Sequence, residues 1–427
     1  MGMSRPRLPE LSSSTADPGV QDRAKLGEGA ALVSRWWLWP LAAYLLIRLA
    51  DAAMIAVASL HGQGGVNPLT GLPLDDSYGS HTAPPGYLTT ATNWDGQWYW
   101  QIADKGYPTD LPRDASGDVR QNVWAFFPIY PMTVRLIMAV TGLGFPLAAV
   151  LVSLVAGGVA SVLVYRLIAP VTDRLGARLL VVVLNTFVCA PVFQIAYTEG
   201  MALALLVATL LAFQARRTGL TAVLVLLLSL TRAVVLPLAA VFAIYAVVRW
   251  RSGSGRREVI QTVALAVWAM ATTFLWPTIA ALRTGEPNAY LLSQTAWNPE
   301  AGTLPMLRFI NRTSPEVGGP WIGILLVLLL TIGVVWALTV GQRHPLLRLW
   351  SGTYALYVLA AVDWNPTAIR YFLLAVPAVW APTDPGTGWP SRHRTWLAGA
   401  VGLLGLATQW WWIRYSLTSS PEFYQLP

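Results

Sequence analysis

The sequence predicts an all-α polytopic membrane protein, and three observations carry that prediction. Of 427 residues, 55% are hydrophobic and only 12% are charged, about half the charge of a typical soluble domain. Mean hydropathy is +0.50, so apolar that lipid must be part of the solvent. The apolar residues also fall in long runs, and a helix needs a run of about 20 to cross a bilayer.

Residues 1–34 are polar and rich in Pro, Ser and Gly, the composition of a disordered segment. Residues 35–427 are expected to form a single transmembrane domain. The first run, 37–60, is too long for a signal-peptide core and should remain as a helix. Within it Arg48 and Asp51, three residues apart, can pair on one face as a buried neutral couple. Further runs occupy 145–168, 178–196, 199–215, 219–232, 234–249, 258–282, 319–341, 346–362, 370–382 and 395–414, for about eleven spans in all. Those at 219–232 and 370–382 are short, which suits segments that line a cavity.

Orientation follows from arginine. With the N-terminus cytoplasmic, the loops holding Arg166, Arg174 and Arg178, Arg216 and Arg217, Arg249 to Arg257, Arg343 and Arg348, and Arg392 and Arg394 all fall inside, as the positive-inside rule requires. This holds if 124–141, which opens with Pro128 and Pro131 and carries Arg135, is interfacial or re-entrant. The first non-cytoplasmic loop is then 61–141 and the second long one 283–318. The turns at Tyr197-Thr198-Glu199, Thr231-Arg232 and Asp363 to Arg370 share that face.

Several function classes drop out. The net charge of +8 sits at the ends of apolar runs with no basic stripe, so it sets topology and does not point to nucleic acid. Cys189 is the single cysteine, excludes an intramolecular disulfide, and reads as a buried small hydrophobe. There is no phosphate-binding Gly loop, and the four histidines show no ligand spacing, so no metal and no cofactor is expected. Asn311-Arg312-Thr313 fits a glycosylation sequon that is common by chance. No internal repeat is visible, which counts against an inverted-repeat transporter.

The polar residues that remain form three constellations. In Asn93-Trp94-Asp95-Gly96-Gln97-Trp98 through Gly106-Tyr107-Pro108, Trp94, Trp98 and Ile102 recur every four residues. They predict a short amphipathic helix on the membrane surface, capped by Asn93 and ended by Gly106. Asp95 falls in its first turn, where the dipole favours the anion that a general base requires. The plainer reading is an acid that only supports its own helix. Ala125 to Pro131 predicts a rigid corner. Glu199 opens an apolar helix, and Arg232 closes a short span on the outer side, where a guanidinium needs a phosphate or a carboxylate such as Glu199. Arg370-Tyr371-Phe372 is the third group. Arg370 is a candidate phosphate ligand or a headgroup anchor.

These motifs resemble a known family. Trp94-Asp95, Tyr99, Ile102-Ala103 and Gly106-Tyr107, followed by Ala125-Phe126-Phe127-Pro128, Tyr130-Pro131 and Arg135, are similar to the first lumenal loop of the PIG-V family, the GPI mannosyltransferase 2 type. Tyr197-Thr198-Glu199 resembles its Tyr-Ser-Glu turn with Thr for Ser. Thr231-Arg232 resembles its Thr-Arg element, and Arg370-Tyr371-Phe372 its late Arg-Tyr-Phe. The matches keep the family order over residues 40–385.

The resemblance implies a GT-C glycosyltransferase of the plasma membrane. Such an enzyme moves mannose, with inversion, from a polyprenyl-phosphate-mannose donor to a glycolipid, lipoglycan or protein acceptor on the non-cytoplasmic face. It implies Asp95 as catalytic base and Arg232 and Arg370 as ligands of the donor phosphate. Trp94, Trp98, Tyr99, Tyr107, Glu199 and Tyr371 would bind substrate or support the site. Two features depart from the family. Asp110, Asp114 and Asp118 have no counterpart there. Only two of the 29 basic residues are lysine, a composition typical of a high-GC bacterium, which makes no GPI anchor, so the acceptor does not carry over. A lipid-linked-sugar flippase, and a GT-C enzyme using another polyprenyl-phosphate sugar, are the alternatives.

Overall fold

Helices dominate the computed structural model, which describes residues 35–60, 86–297, 345–361, 368–375 and 390–418, with 324, 325, 328 and 332 between them. Helix α1 (Leu38–Ser59) is followed by α2 (Gly86–Thr90) and α3 (Asp95–Lys105). A 3₁₀ turn at Val123–Ala125 leads to α4 (Ile129–Thr141), α5 (Phe145–Ile168) and α6 (Arg174–Asn185). A second 3₁₀ turn, Ala190–Phe193, precedes α7 (Glu199–Gln214), α8 (Thr218–Ser229), α9 (Val235–Arg251), α10 (Arg256–Thr273), α11 (Leu275–Thr284) and α12 (Ala289–Thr295). Then come α13 (Pro345–Ala361), α14 (Ala368–Tyr371) with a 3₁₀ turn at Phe372–Ala375, and α15 (Ser391–Trp412), which runs into a π-helical turn at Ile413–Leu417. No β-strand forms among the described residues.

Among the described residues three stretches are long and apolar enough to cross a membrane: α1, α5 and the continuous Arg256–Thr284. Leu46, Leu49, Val155 and Leu403 on these and other helices are more than 60% exposed, which a lipid solvent accommodates and water does not. Other expected spans are shorter than forecast. The run 178–196 does not form one helix. Helix α6 stops at Asn185 and the chain turns at Ala190–Phe193, where Pro191 removes a donor. Helices α7 and α8 have 16 and 12 residues, about 24 and 18 Å. Segment 124–141 becomes the 13-residue α4, which begins after Pro128 and is about 20 Å long. The expected span 319–341, the sequon at Asn311, the turn Asp363-Trp364-Asn365-Pro366, and segments 1–34 and 61–85 lie outside the described residues, apart from the four single positions above.

Helix α5 is packed closely at its middle. A Cβ on Gly157 would lie 2.6 Å from the Tyr44 hydroxyl and 2.9 Å from Phe193 Cβ, and one on Gly200 would lie 3.1 Å from the Gly157 nitrogen. Only glycine permits this approach, which seats Phe193–Gly200 beside Ser153–Gly157. The Tyr44 hydroxyl lies 2.9 Å from the Leu154 carbonyl and 3.1 Å from that of Phe193. Arg48 and Asp51 form the expected buried pair at 2.9 Å. Arg48 also donates to the carbonyls of Asn185 and Ala190, so the pair holds the break after α6 against α1.

The α7–α8–α9 hairpins give the fold two ends. Glu199 begins α7, Arg232 follows α8, and α9 starts at Val235, so these residues share one end. The α7–α8 turn with Arg216 and Arg217, and the α9–α10 turn with Arg249, Arg251, Arg256 and Arg257, lie at the other. One length of α7, about 24 Å, separates them.

Candidate functional site

Asp95 is the first residue of α3, as expected, and α3 has one buried face, while Asp104 and Lys105 at its end are exposed. Its buried face is Gly96, Tyr99, Ile102 and Ala103, packed into the core with α4 and α5. A Cβ on Gly96 would stand 3.0 Å from Ala196 Cβ, so the first turn of α3 is pressed onto the segment preceding Glu199. Asn93 does not cap the helix. Trp94 occupies that position at φ 61°, ψ −113° without a side-chain cap bond. Such a backbone costs a non-glycine residue about 1–3 kcal/mol. It is held by two bonds to the Leu417 carbonyl, from Asn93 Nδ2 and from the Trp94 indole, both 3.2 Å. Gly106 ends α3 at φ 78°, as the sequence predicts.

Four charged side chains from distant parts of the chain meet above this turn. Arg370 Nη1 donates to Asp95 Oδ2 at 2.7 Å, and its Nε stands 3.5 Å from Glu199 Oε1. Arg232 Nη1 donates to the same Glu199 Oε1 and to Thr198 Oγ1, each at 2.9 Å. The order is Asp95, Arg370, Glu199, Arg232: two carboxylates alternating with two guanidiniums. Glu199 is fully buried, Arg370 and Arg232 are 7% and 11% exposed, and Asp95 is 20% exposed. Tyr371 lies under Arg232, 4.5 Å from ring centroid to guanidinium, and Tyr197 under Arg370 at 4.9 Å. Burial and the nearby carboxylates of Asp95 and Glu199 push the Tyr99 phenol well above its usual pKa, so it stays a neutral donor beside Thr198.

Local structure explains each placement. Glu199 sits at a helix N-terminus, where the dipole favours an anion. Arg232 follows a turn that receives the Ile129 N–H on its Leu230 carbonyl at 3.0 Å, so the Phe127-Pro128 corner is tied to the arginine. Arg370 is on α14, whose following turn is fixed by α13: Trp350 donates to the Leu374 carbonyl and Ser351 to that of Ala375, both at 2.7 Å.

The cluster is polar and incompletely paired. Glu199 Oε2, Arg232 Nε and the Tyr197 hydroxyl are buried without a hydrogen-bond partner. Buried polar atoms are nearly always satisfied, so three orphans on adjoining residues suit a place that receives a polar group. On Asp95, Arg370 is the one partner among the described residues. The cluster also lies deeper than the sequence predicts. The Ser153 hydroxyl donates to the Tyr197 carbonyl at 3.4 Å, and Ser153 is about 12 Å along α5 from Phe145. The site is thus recessed about a third of the way along α5, which has 24 residues, from the end at which α5 begins.

Of the residues singled out in the sequence, Asp95, Glu199, Arg232, Arg370, Tyr371 and Tyr99 come together. Trp94 borders them, with its indole turned to Leu417. Trp98 stacks on Phe126 at 5.8 Å and meets Trp297 edge-on at 5.3 Å. Tyr107 packs elsewhere, on Trp124 and Trp276 at 4.8 Å each, and its hydroxyl donates to the Phe126 carbonyl. Its place is in an aromatic prop behind the site. Tyr197, named in the sequence only as part of its turn, and the Ile413–Leu417 turn had no assigned role, because neither carries a spacing signal toward Asp95.

Asp110, Asp114 and Asp118 are exposed. Asp114 accepts from the Ser116 hydroxyl and from the Ser116 and Asp118 N–H groups, bonds that hold its carboxyl below the usual range. It closes a local turn far from the cluster in bonding. Among the described residues no three His, Cys, Asp or Glu side chains stand together as metal ligands. No protein-family model matches the chain, and no curated protein matches it.

Proposed function

We propose that the protein is a multi-pass plasma-membrane glycosyltransferase of the GT-C type, N-terminus cytoplasmic. In this reading it transfers mannose from polyprenyl-phosphate-mannose to a glycolipid, lipoglycan or protein acceptor on the non-cytoplasmic face. The observation that supports it best is the buried Asp95–Arg370–Glu199–Arg232 array with the three unpaired polar atoms on and beside it. The concentration of arginine at the opposite end supports the orientation.

The reading assigns a sequence of events. The donor phosphate meets Arg370 and Arg232 and takes guanidinium bonds now held by Asp95 and Glu199. Asp95 is thereby released and accepts the proton of the acceptor hydroxyl. The acceptor oxygen bonds to C1 as the C1–O bond to phosphate breaks, and polyprenyl phosphate leaves with the electron pair. Charge grows on that phosphate in the transition state, so the two arginines act there more than in the ground state. Glu199 keeps both arginines aimed. The Trp98, Phe126 and Trp297 rings offer apolar faces for sugar or polyprenyl chain.

The test is mannosyl transfer by purified protein in lipid, with polyprenyl-phosphate-mannose and a membrane extract of the native host. Wild type is expected to yield a mannosylated product, and Asp95→Asn to reduce the rate about 10²- to 10⁴-fold in protein that still folds and unfolds cooperatively. Undiminished turnover in Asp95→Asn would remove Asp95 as base. Absence of product with every polyprenyl-phosphate sugar would remove the transferase. A second reading, a lipid-linked-sugar flippase, is favoured by the recession of the cluster into the bundle beside α5, since carriers hold their cargo between helices. It predicts movement of a labelled lipid-linked sugar across proteoliposomes without change of linkage.

A further inference from the structure

The α7–α8 and α9–α10 turns enclose a cavity of about 380 Å³ at the end of the fold opposite Asp95. That size falls within the range of small-ligand sites, about 300–1,000 Å³. Its lining includes Arg216, Arg249, Arg257, Glu258, Thr218 and Thr262, three guanidiniums to one carboxylate. Arg249 is 18% exposed, donates to Thr262 Oγ1 at 2.6 Å, stands 3.2 Å from Glu258 Oε1, and is backed by Phe213 at 4.8 Å. Arg216 reaches the other oxygen, Glu258 Oε2, at 3.2 Å. One carboxylate is thus shared by two arginines. Arg257 lines the same space with no ion-pair partner among the described residues. The excess charge faces a cavity, and a site of that kind is filled by an anion.

The rim indicates the source of the anion. Leu220, Trp250 and Ile260, next in sequence to the lining residues Thr221, Arg249 and Gln261, are 46%, 70% and 55% exposed. An exposed tryptophan between Arg249 and Arg251 is the residue pattern of a membrane–water boundary. A phosphate seated among the arginines would place attached acyl chains along this apolar rim. Arg216 also has φ 56°, and the other non-glycine residue of positive φ among the described residues is Trp94, at the Asp95 site. Strain of this kind is retained where a side chain must be aimed.

We propose that this cavity binds the phosphodiester headgroup of an anionic phospholipid in the leaflet opposite the Asp95 cluster. The site does not depend on the transferase reading and involves none of its residues. Basic pockets between spanning helices hold such headgroups through charge-assisted hydrogen bonds.

The experiment uses full-length protein in detergent, titrated with short-chain phosphatidylglycerol, phosphatidylcholine of the same chains, or inorganic phosphate. Melting temperature and retained lipid by native mass spectrometry are the readouts. Phosphatidylglycerol is expected to stabilise saturably and to be retained where phosphatidylcholine is not. Arg257→Gln and Arg216→Gln, both exposed and away from the core, are expected to weaken that binding about tenfold. Asp95→Asn should bind lipid as wild type does, which separates this site from catalysis. Equal effects of the two lipids, or a phosphatidylglycerol effect unaltered in both variants, would overturn the proposal. Saturation by inorganic phosphate alone, lost in the same variants, would retain the phosphate chemistry and overturn the lipid as its source.

Discussion

Glu199 has no exposed surface, yet only Oε1 is paired, with Arg232 at 2.9 Å and Arg370 at 3.5 Å. Removing a partner from a buried ion pair leaves uncompensated charge, at a cost of about 3–5 kcal/mol. Glu199→Ala is therefore expected to lower the melting temperature sharply. Arg232→Met in that background should restore part of the loss, and a double-mutant cycle measures the coupling. Additive losses would show that the two side chains do not depend on each other. The Glu199–Arg232 contact was readable as an alternative from the sequence, because an outer-side arginine needs an anion. The Arg370–Asp95 bond was not, because it joins residues 275 apart and no spacing rule reaches that far.

At the scale of elements, Asp173 has two tasks. It caps α6 by accepting the Gly176 N–H at 2.7 Å, and it receives two bonds from Arg394 on α15 at 2.7 and 2.8 Å. The Arg394 bonds, with that of Gly176, hold its carboxyl below the usual range. A folded pKa beneath the unfolded value of about 3.9 means this stabilisation is fully present above that pH. It is lost as pH falls through the folded value. Melting temperature should accordingly drop in acid below about pH 4, and Asp173→Asn, which keeps an acceptor for Gly176, should flatten part of that slope. Helix α15 also crosses close to the end of α6. A Cβ on Gly405 would lie 2.1 Å from the Thr186 carbonyl oxygen, whereas at Gly402 the nearest atom is 3.5 Å away. Gly405→Ala is expected to cost about 1–3 kcal/mol by overpacking, and Gly402→Ala far less, as thermal unfolding of the pair would reveal. The facing of α3 was misread for a related reason. The four-residue spacing favoured Trp94, Trp98 and Ile102, but of these only Ile102 is on the buried stripe, which passes through Gly96, whose lack of a side chain admits Ala196.

For the molecule as a whole, the two ends make opposite forecasts about access. Cys189 is buried, so Cys189→Ala gives a clean background for introduced cysteines. Arg217→Cys should resist a membrane-impermeant maleimide in intact cells and react after permeabilisation. Asp110→Cys, in an exposed turn of the first long loop, should react in both. The reverse pattern would invert the proposed orientation, and labelling of both in intact cells would overturn it.

What the sequence determined by itself was the solvent, the helical class, the sorting of arginines into particular turns, and the residue types able to do chemistry. Each is local, set by the hydropathy of a run or by the charge and capping of one turn. The full length of α5, the start of α7 at Glu199 and the end of α3 at Gly106 follow from such signals. Tertiary structure decided which of these residues meet. It joined Asp95 to Arg370 and Glu199 to Arg232, sent Tyr107 into an aromatic prop, recessed the cluster beside α5 and opened a basic cavity at the far end. Those outcomes depend on close helix approaches at glycine and on bonds between elements far apart in the chain. A hydropathy pattern records how apolar each position is, but not which distant backbone will come within reach of it.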